Sequence, residues 1–327
     1  MERNIAIIAG GDSSEHDVSL RSAAGLYSFM DKERYNITIV QLRGTEWKAQ
    51  ITDNTFADID KNDFSFTYQG HKTTFDFAYI TIHGTPGENG LLQGYLDMLR
   101  IPYSCCNVLA AAITFNKYTC NHYLQDLGIR ISPSILLRRR MTQPTPEEII
   151  NQIGLPCFIK SNVGGSSFGC TKVKTIEQVQ PAIDRAYQEG DEVICEAFMK
   201  GTEITCGIYK THNKTVVFPI TEVVTKHEFF DYDAKYNGAV EEITPARIPE
   251  QVRDKVQALT AHIYDLIGCY GIIRIDYILT DNWTINLLEI NTTPGMTATS
   301  FIPQQVKAAG LDIKEVLTDI IEDKFTH

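Results

Sequence analysis

The sequence predicts an α/β (α+β) chain of two or three domains, opened by a unit built on a parallel sheet. Three observations carry that prediction. A chain of 327 residues is long for one hydrophobic core. Apolar runs at residues 4–9, 35–42 and 77–82 are interleaved with helical patterns, as in βαβ units. Beyond residue 130, short alternating segments come in neighbouring pairs separated by turn residues, which suits a second and a third sheet.

Taken in order, residues 4–9 read as a buried strand, Gly10-Gly11 as a tight turn, and Ser14 to Asp17 as a capping box opening a helix that runs to about Met30. Strands follow at 35–42 and 77–82. The loop HGTPGENG and a helix at 91–99 come next, and Ile101-Pro102-Tyr103 closes the first unit. Ligands on such sheets collect at the loops leaving the strand C-termini. Residues 107–127 read as one long helix ending at Gly128, residues 131–137 as a strand, and Pro144, Pro146 and Glu147 as a helix start. Residues 155–159 and 170–173 flank a glycine-rich tip, and a helix follows at 176–187. Alternation resumes at Val193 and continues through Cys206 and Val216. A polar, aromatic loop at 227–238, a helix at 250–267 and two adjacent strands complete the chain.

Composition excludes several classes. The net charge of -11, with acids and bases mixed along the chain, argues against nucleic acid or an anionic membrane as a partner. Any anion site must be a local device. The eight cysteines include no C-x-x-C pair, so neither a zinc site nor a disulfide framework is indicated. No segment approaches the ~18 apolar residues of a membrane span, and the N-terminus has no signal-peptide pattern. A cytoplasmic protein with reduced thiols is expected.

The stretch KSNVGGSSFG, 160–169, is the first chemical signal. It does not fit the Walker pattern, and it contains G-S-S-F-G, which satisfies the G-x-S-x-G elbow of serine hydrolases. An elbow joins a strand to a helix, whereas here strand-like residues stand on both sides. The segment is therefore expected as a hairpin tip whose backbone N–H groups suit an anion such as phosphate, with Lys160 adding charge. A solvated, flexible tip is the alternative.

The second signal is RIDYIL, a turn, and then TINLLEINTTPGM. Alternation puts Arg274 and Asp276 on one strand face and Glu289 and Asn291 on one face of the next. One hairpin register pairs Asp276 with Glu289 and Arg274 with Asn291. Two carboxylates and an amide oxygen suit Mg²⁺ that also holds substrate phosphates, and Arg274 suits a carboxylate or oxyanion. A glycosidase also uses paired carboxylates, but it leaves the hairpin and Lys160 without a role.

These residues resemble the D-alanine–D-alanine ligases of the ATP-grasp superfamily. The similar segments are GGDSSEHDVSLRSA, HGTPGENGLLQG, KSNVGGSSFGCTKV, EAFMKGTEITCGIY, FFDYDAKYNG, RIDYIL and LLEINTTPGMTATSF, in order and over nearly the whole chain. The resemblance implies a three-domain ATP-grasp fold: a Rossmann-like (pre-ATP-grasp) parallel-sheet domain at 1–105, a central subdomain at 106–195 with the glycine-rich flap, and a C-terminal subdomain at 196–327 with a lid loop and metal site. It implies that ATP binds between the second and third domains, and the amino acids where all three meet.

Carried over residue by residue, Lys117, Lys160 and Lys235 match phosphate contacts, with Gly165, Ser166 and Ser167 in the flap. Glu196, Ala197, Phe198, Met199 and Glu203 match the adenosine stretch. Asp276, Glu289 and Asn291 match ligands of Mg²⁺, with Mn²⁺ a substitute. Glu15, Ser166 and Tyr236 match a hydrogen-bonded triad around the substrates. His83, Arg274, Gly295, Ser300 and Phe301 match other substrate contacts, Arg274 and the Gly295 N–H facing an oxyanion. Ser161, Asn89 and Phe301 depart from the family's common proline, aspartate and leucine. The implied reaction is D-alanyl-D-alanine formation from ATP and D-alanine through an acyl phosphate, for peptidoglycan precursors, by a homodimer. A nucleotide-binding regulatory module is the rival from another class, and the full set Arg274, Asp276, Glu289 and Asn291 argues against it.

Without the family, the outlying residues read more plainly. Lys117 is then a solvated helix face, Glu15 a first-turn dipole partner and His83 a loop donor.

Overall fold

The molecule is described from a computed structural model covering residues 2–164, 169–225 and 240–326. Its first sheet starts from β1 (Arg3–Gly10), which lies parallel to β2 (Tyr35–Arg43) and, on its other edge, to β7 (Phe77–Ile80). Alternation in β1 loads both faces. Ile5, Ile7 and Ala9 pack with Ala23 and Leu26 of α1 (His16–Phe29), while Ala6 and Ile8 pack with Leu92 and Leu96 of α2 (Leu91–Leu99).

The sheet is wider than a simple parallel reading implies. Four antiparallel strands, β3 (Glu46–Thr52), β4 (Thr55–Asp60), β5 (Ser65–Tyr68) and β6 (His71–Thr73), extend it beyond β2 to give the order β6-β5-β4-β3-β2-β1-β7. Their pattern is weak because they are short and polar. The link between β5 and β6 is a two-residue turn at Gln69 (φ 49) and Gly70 (φ 82), whose positive dihedrals match strand twist.

Two expectations about helix ends are corrected. The Ser14 to Asp17 capping box does not form: α1 starts at His16, Glu15 holds the N-cap position, and no side chain caps it. Ser13 instead accepts from Glu15 N and donates to His83 O. The single helix expected at 107–127 is two helices, α3 (Val108–Phe115) and α4 (Lys117–Asp126). Asn116 breaks it by taking an extended conformation (ψ 100) and accepting from Thr119 N to cap α4, a local bond that competes with helix continuation. Lys117 N then bonds Asn162 O on the neighbouring hairpin.

The second sheet has the order β10-β9-β11-β8, from β8 (Ser134–Arg138), β9 (Cys157–Ser161), β10 (Thr171–Val173) and β11 (Glu192–Ala197). The antiparallel pairing of β9 with β10, Ile159 opposite Thr171, bears out the hairpin and disposes of a strand-to-helix elbow. One face is covered by α5 (Pro146–Ile153) and α6 (Val179–Ala186). The strand β11 runs to Ala197, across the boundary expected at 195.

The third sheet has the order β15-β14-β12-β16-β17, with β13 (Thr215–Val217) paired to β12 (Thr202–Lys210). Its other strands are β14 (Thr221–Thr225), β15 (Val240–Ile243), β16 (Ile273–Thr280) and β17 (Thr284–Asn291). One face packs against α7 (Glu250–Ile267) and also against Ala110, Ala111, Cys120 and Leu124 of α3 and α4. The other face meets α8 (Phe301–Ala308). There Gly207 is required, because a Cβ would stand 2.5 Å from Ile302 Cδ1.

The terminal helix α9 (Ile313–Asp323) returns to the first sheet, where Leu317 and Ile320 join the cluster of Ile5 and Ile7. Glu322 accepts from Arg3 and from the Tyr35 hydroxyl, each at 2.7 Å. First and third sheets are thus locked together beneath the site. All eight cysteines are free thiols.

Candidate active site

The expected register on β16 and β17 is present: Asp276 faces Glu289, and Arg274 faces Asn291. One residue further the pairing shifts to Tyr277 with Leu287. The extra residue, Leu288, makes a bulge. Strict alternation would put Leu287 on the face of Glu289. The bulge turns it instead into the core beside Tyr277, and the polar residues keep the opposite face.

On that face Asp276 is buried and heavily coordinated by donors. Its Oδ1 accepts from Arg274 Nε (2.9 Å) and from the Thr205 hydroxyl (2.5 Å); its Oδ2 accepts from Arg274 Nη2 (2.8 Å) and Asn291 Nδ2 (3.0 Å). The Arg274 guanidinium lies 5.1 Å from the centroid of the Phe301 ring, within cation–π range. Burial would lower the pKa of Arg274, but Asp276, with Glu289 and Glu203 beyond it, raises it well above the ordinary value. Its charge is permanent.

The second sheet contributes lysines. Lys160 on β9 pairs with Glu196 on β11 at 2.5 Å, with side chains only 15% and 6% exposed. Burial opposes the Lys160 charge, yet Glu196, with Cys170 and Glu289 further off, raises its pKa overall. Lys117, the first residue of α4, reaches Gly164 O at 2.6 Å. Burial lowers its pKa and nearby Lys160 lowers it further, against Glu289, Glu196 and Glu88. Two lysines in electrostatic reach of each other, with Glu289 of the third sheet in reach of both, form a place for a polyanion. The strand end is fixed by Asn162, which accepts from Tyr118 N and donates to Glu192.

The stretch expected to receive adenosine is partly committed to the fold. Ala197 O accepts from Ser132, Ala197 N bonds Pro133 O, and the Phe198 ring stands beside Phe158 with the Lys172 ammonium 4.0 Å from its centroid. Met199 follows β11, and Glu203 lies on β12 opposite Ile278.

The first domain presents Glu15, buried at the start of α1, and His83, buried after β7 with Nε2 3.5 Å from Ser22 Oγ. The loop after β17 is laced to the same edge. Thr293 donates to Ile82 O, Met296 N bonds Ser22 Oγ, and Ser300, at the N-cap position of α8, turns its hydroxyl to Thr297. Gly295 stands beside Ser300: a Cβ there would be 3.0 Å from Ser300 Oγ. Gly165, Ser166, Ser167, Lys235 and Tyr236, and the loop expected at 227–238, lie outside the described residues.

Sequence reasoning missed Thr205 and Glu88. Nothing in a lone strand threonine marks it. Glu88 lies in HGTPGENG, at the strand end where ligands collect, and that position was the available signal. Its Oε2 accepts from Gly84 N at 2.7 Å. Burial and then the Glu15 charge push its pKa from 4.5 to about 7, against Gly84 N–H, Thr293 and Lys117.

The donor set of Asp276, Glu289 and Asn291 fits a hard divalent cation: hard oxygens of two carboxylates and one amide, gathered on one face of paired strands. Among the described residues no group of three or more His, Cys, Asp or Glu forms a metal cage. Nor does any helix among them have the length and apolarity to cross a membrane.

Lysines from the second sheet and the start of α4, in electrostatic reach of a strand pair that carries hard oxygens beside an arginine, are the arrangement of the ATP-grasp class. Residues 4–106 match the D-ala D-ala ligase N-terminus family and residues 123–322 the D-ala D-ala ligase C-terminus family. The chain belongs to the D-alanine–D-alanine ligase family. It is 67% identical over 325 residues, 99% of this chain and 100% of the relative, to a D-alanine–D-alanine ligase of Phocaeicola vulgatus. Among solved structures it is similar to the VanG D-Ala:D-Ser ligase of Enterococcus faecalis (TM-score 0.87, 28% identity, 98% of this chain and 99% of that one). It is also similar to the D-alanine–D-alanine ligase of Bacillus anthracis complexed with ATP (TM-score 0.78, 27% identity, 99% and 97%).

Proposed function

We propose that this chain joins two D-alanine molecules into D-alanyl-D-alanine, converting ATP to ADP and phosphate, in the supply of peptidoglycan precursors. The observation that carries the reading is that Lys117 and Lys160 lie in electrostatic reach of Glu289, on the strand pair that gathers Arg274, Asp276 and Asn291. Full-length identity of 67% to a ligase of that name supports it.

A carboxylate is a poor electrophile and needs activation before an amine attacks it. In this reading Lys117, Lys160 and the flap residues Gly165, Ser166 and Ser167, with Lys235 of the lid loop, hold the ATP phosphates. Glu196, Ala197, Phe198, Met199 and Glu203 receive the adenosine. Asp276, Glu289 and Asn291 would hold Mg²⁺, or Mn²⁺ in its place, and the ion would supply charge neutralisation at the phosphates; the γ-phosphoryl passes to the carboxylate of the first D-alanine. The second D-alanine's amine then attacks the acyl phosphate, and phosphate leaves. Arg274 and the Gly295 N–H stabilise the oxyanion of that step. Glu15, with Ser166 and Tyr236, orients the ammonium groups, and His83, Ser300 and Phe301 line the amino-acid pocket. Division into 1–105, 106–195 and 196–327, a homodimeric assembly and a cytoplasmic location belong to the same proposal.

The test is ATP-dependent phosphate release across D-alanine, D-serine, D-lactate and L-alanine, with chromatography of the products. D-alanyl-D-alanine is expected as the main product at neutral pH. Tyr236→Phe is expected to shift the ratio toward the D-lactate depsipeptide. Main production of D-alanyl-D-lactate or D-alanyl-D-serine by the wild type overturns the substrate assignment, and phosphate release without D-alanine dependence overturns the ligase reading.

A further inference from the structure

We propose that Thr205 is a positioning residue of the active site: its hydroxyl holds Asp276 so that only Oδ2 is offered to the divalent cation, while Oδ1 stays committed to Thr205 and Arg274 Nε. The inference rests on the metal reading of Asp276, Glu289 and Asn291.

Thr205 lies at the centre of the third sheet, 1% exposed, where β12 pairs it with Asp276 on one side and Thr221 on the other. Its main chain is pinned as well. Thr205 O accepts from Gln305 Nε2 at 3.0 Å, and the same buried glutamine holds Gly207 N and Thr221 Oγ1. The hydroxyl therefore stands on a rigid frame, and among the described residues it donates to Asp276 Oδ1.

A carboxylate oxygen has two lone-pair positions. At Oδ1 both are filled, by Thr205 and by Arg274 Nε; at Oδ2 one is filled by Arg274 Nη2 and the other by the Asn291 amide. Asn291 is itself an expected ligand, and turning its amide presents oxygen in place of NH₂. Oδ2 is thus the oxygen that becomes available beside the Asn291 oxygen, with the two Arg274 bonds kept. The Thr205 bond does two things at once. It fixes the plane of the Asp276 carboxylate for the cation, and through Oδ1 it fixes the guanidinium that faces the oxyanion. Partners behind metal ligands of this kind affect metal affinity or activity by roughly 10–100-fold.

Thr205→Val keeps the shape and removes the donor, whereas Thr205→Ser keeps the donor and removes a methyl. Mn²⁺ binding is measured by paramagnetic relaxation with a non-hydrolysable ATP analogue present, alongside steady-state kcat and KM and the thermal midpoint. Thr205→Val is expected to weaken Mn²⁺ about 10-fold or more and to lower kcat more than it raises KM for D-alanine, with Thr205→Ser within about 3-fold of wild type. Equal Mn²⁺ affinity and kcat in Thr205→Val and wild type overturns the proposal. So does equal impairment of both variants, which means that packing and not the hydroxyl matters. Absence of Mn²⁺ binding in the wild type is a different result and overturns the metal reading beneath it.

Discussion

Replacing Glu88 by glutamine removes a titration without removing a shape. In the folded protein burial, and after it the Glu15 charge, raise the Glu88 pKa from 4.5 to about 7. The neutral acid is therefore the favoured form, and its contribution to stability is complete below pH 4.5, declines as pH rises, and is gone above about 7. At 1.36 kcal/mol for each tenfold change in proton affinity, this amounts to about 2–3 kcal/mol for a half-buried group. Glutamine stays neutral throughout. Its amide oxygen can accept from Gly84 N, as the carboxyl Oε2 does. Wild type and Glu88→Gln should therefore be equally stable below about pH 4.5, and the variant should gain as pH rises to about 7 and then level off. With unfolding entropy near ~2.1 cal/mol/K per residue, about 2–3 kcal/mol becomes a difference of about 3–4 °C in thermal midpoint. Calorimetry or circular dichroism at half-unit pH steps measures it. A variant-minus-wild-type difference that stays flat between pH 4.5 and 8 refutes the buried-carboxyl argument.

Other expectations follow from the same geometry. Lys160→Met strands the buried Glu196 carboxylate and should destabilise by about 3–5 kcal/mol; adding Glu196→Gln should recover much of it in thermal melts, and no recovery contradicts the pairing. Gly271→Ala puts a Cβ 1.8 Å from Ser104 O at a φ of +71°, so a loss of roughly 2–4 kcal/mol is expected, and an unchanged melting point refutes the close approach. Glu289→Gln should depress turnover and raise the Mg²⁺ requirement with little change in midpoint, read by activity at graded Mg²⁺; near wild-type activity at low Mg²⁺ counts against the ligand assignment.

Several parts of this protein are determined by sequence alone, because their cause is local. The helices Leu91–Leu99 and Glu250–Ile267 stand where their sequence patterns put them, since apolar spacing and the terminal signals agree. The hairpin pairing Asp276 with Glu289 follows from alternation and a short turn, and that pairing brings the polar residues to one face. Other parts were decided by tertiary contacts. The strands at 46–73 are too short and polar to announce themselves, and they exist because β2 offers an open edge. The break at Asn116 depends on Glu192 and Asn162, more than 40 residues away in sequence, and the bulge at Leu288 depends on the core claiming Leu287. Thr205 and Glu88 became site residues only when β12 met β16 and when the loop after β17 met the end of β7. Periodicity reports which face a side chain takes, whereas the partner waiting on that face belongs to another part of the chain.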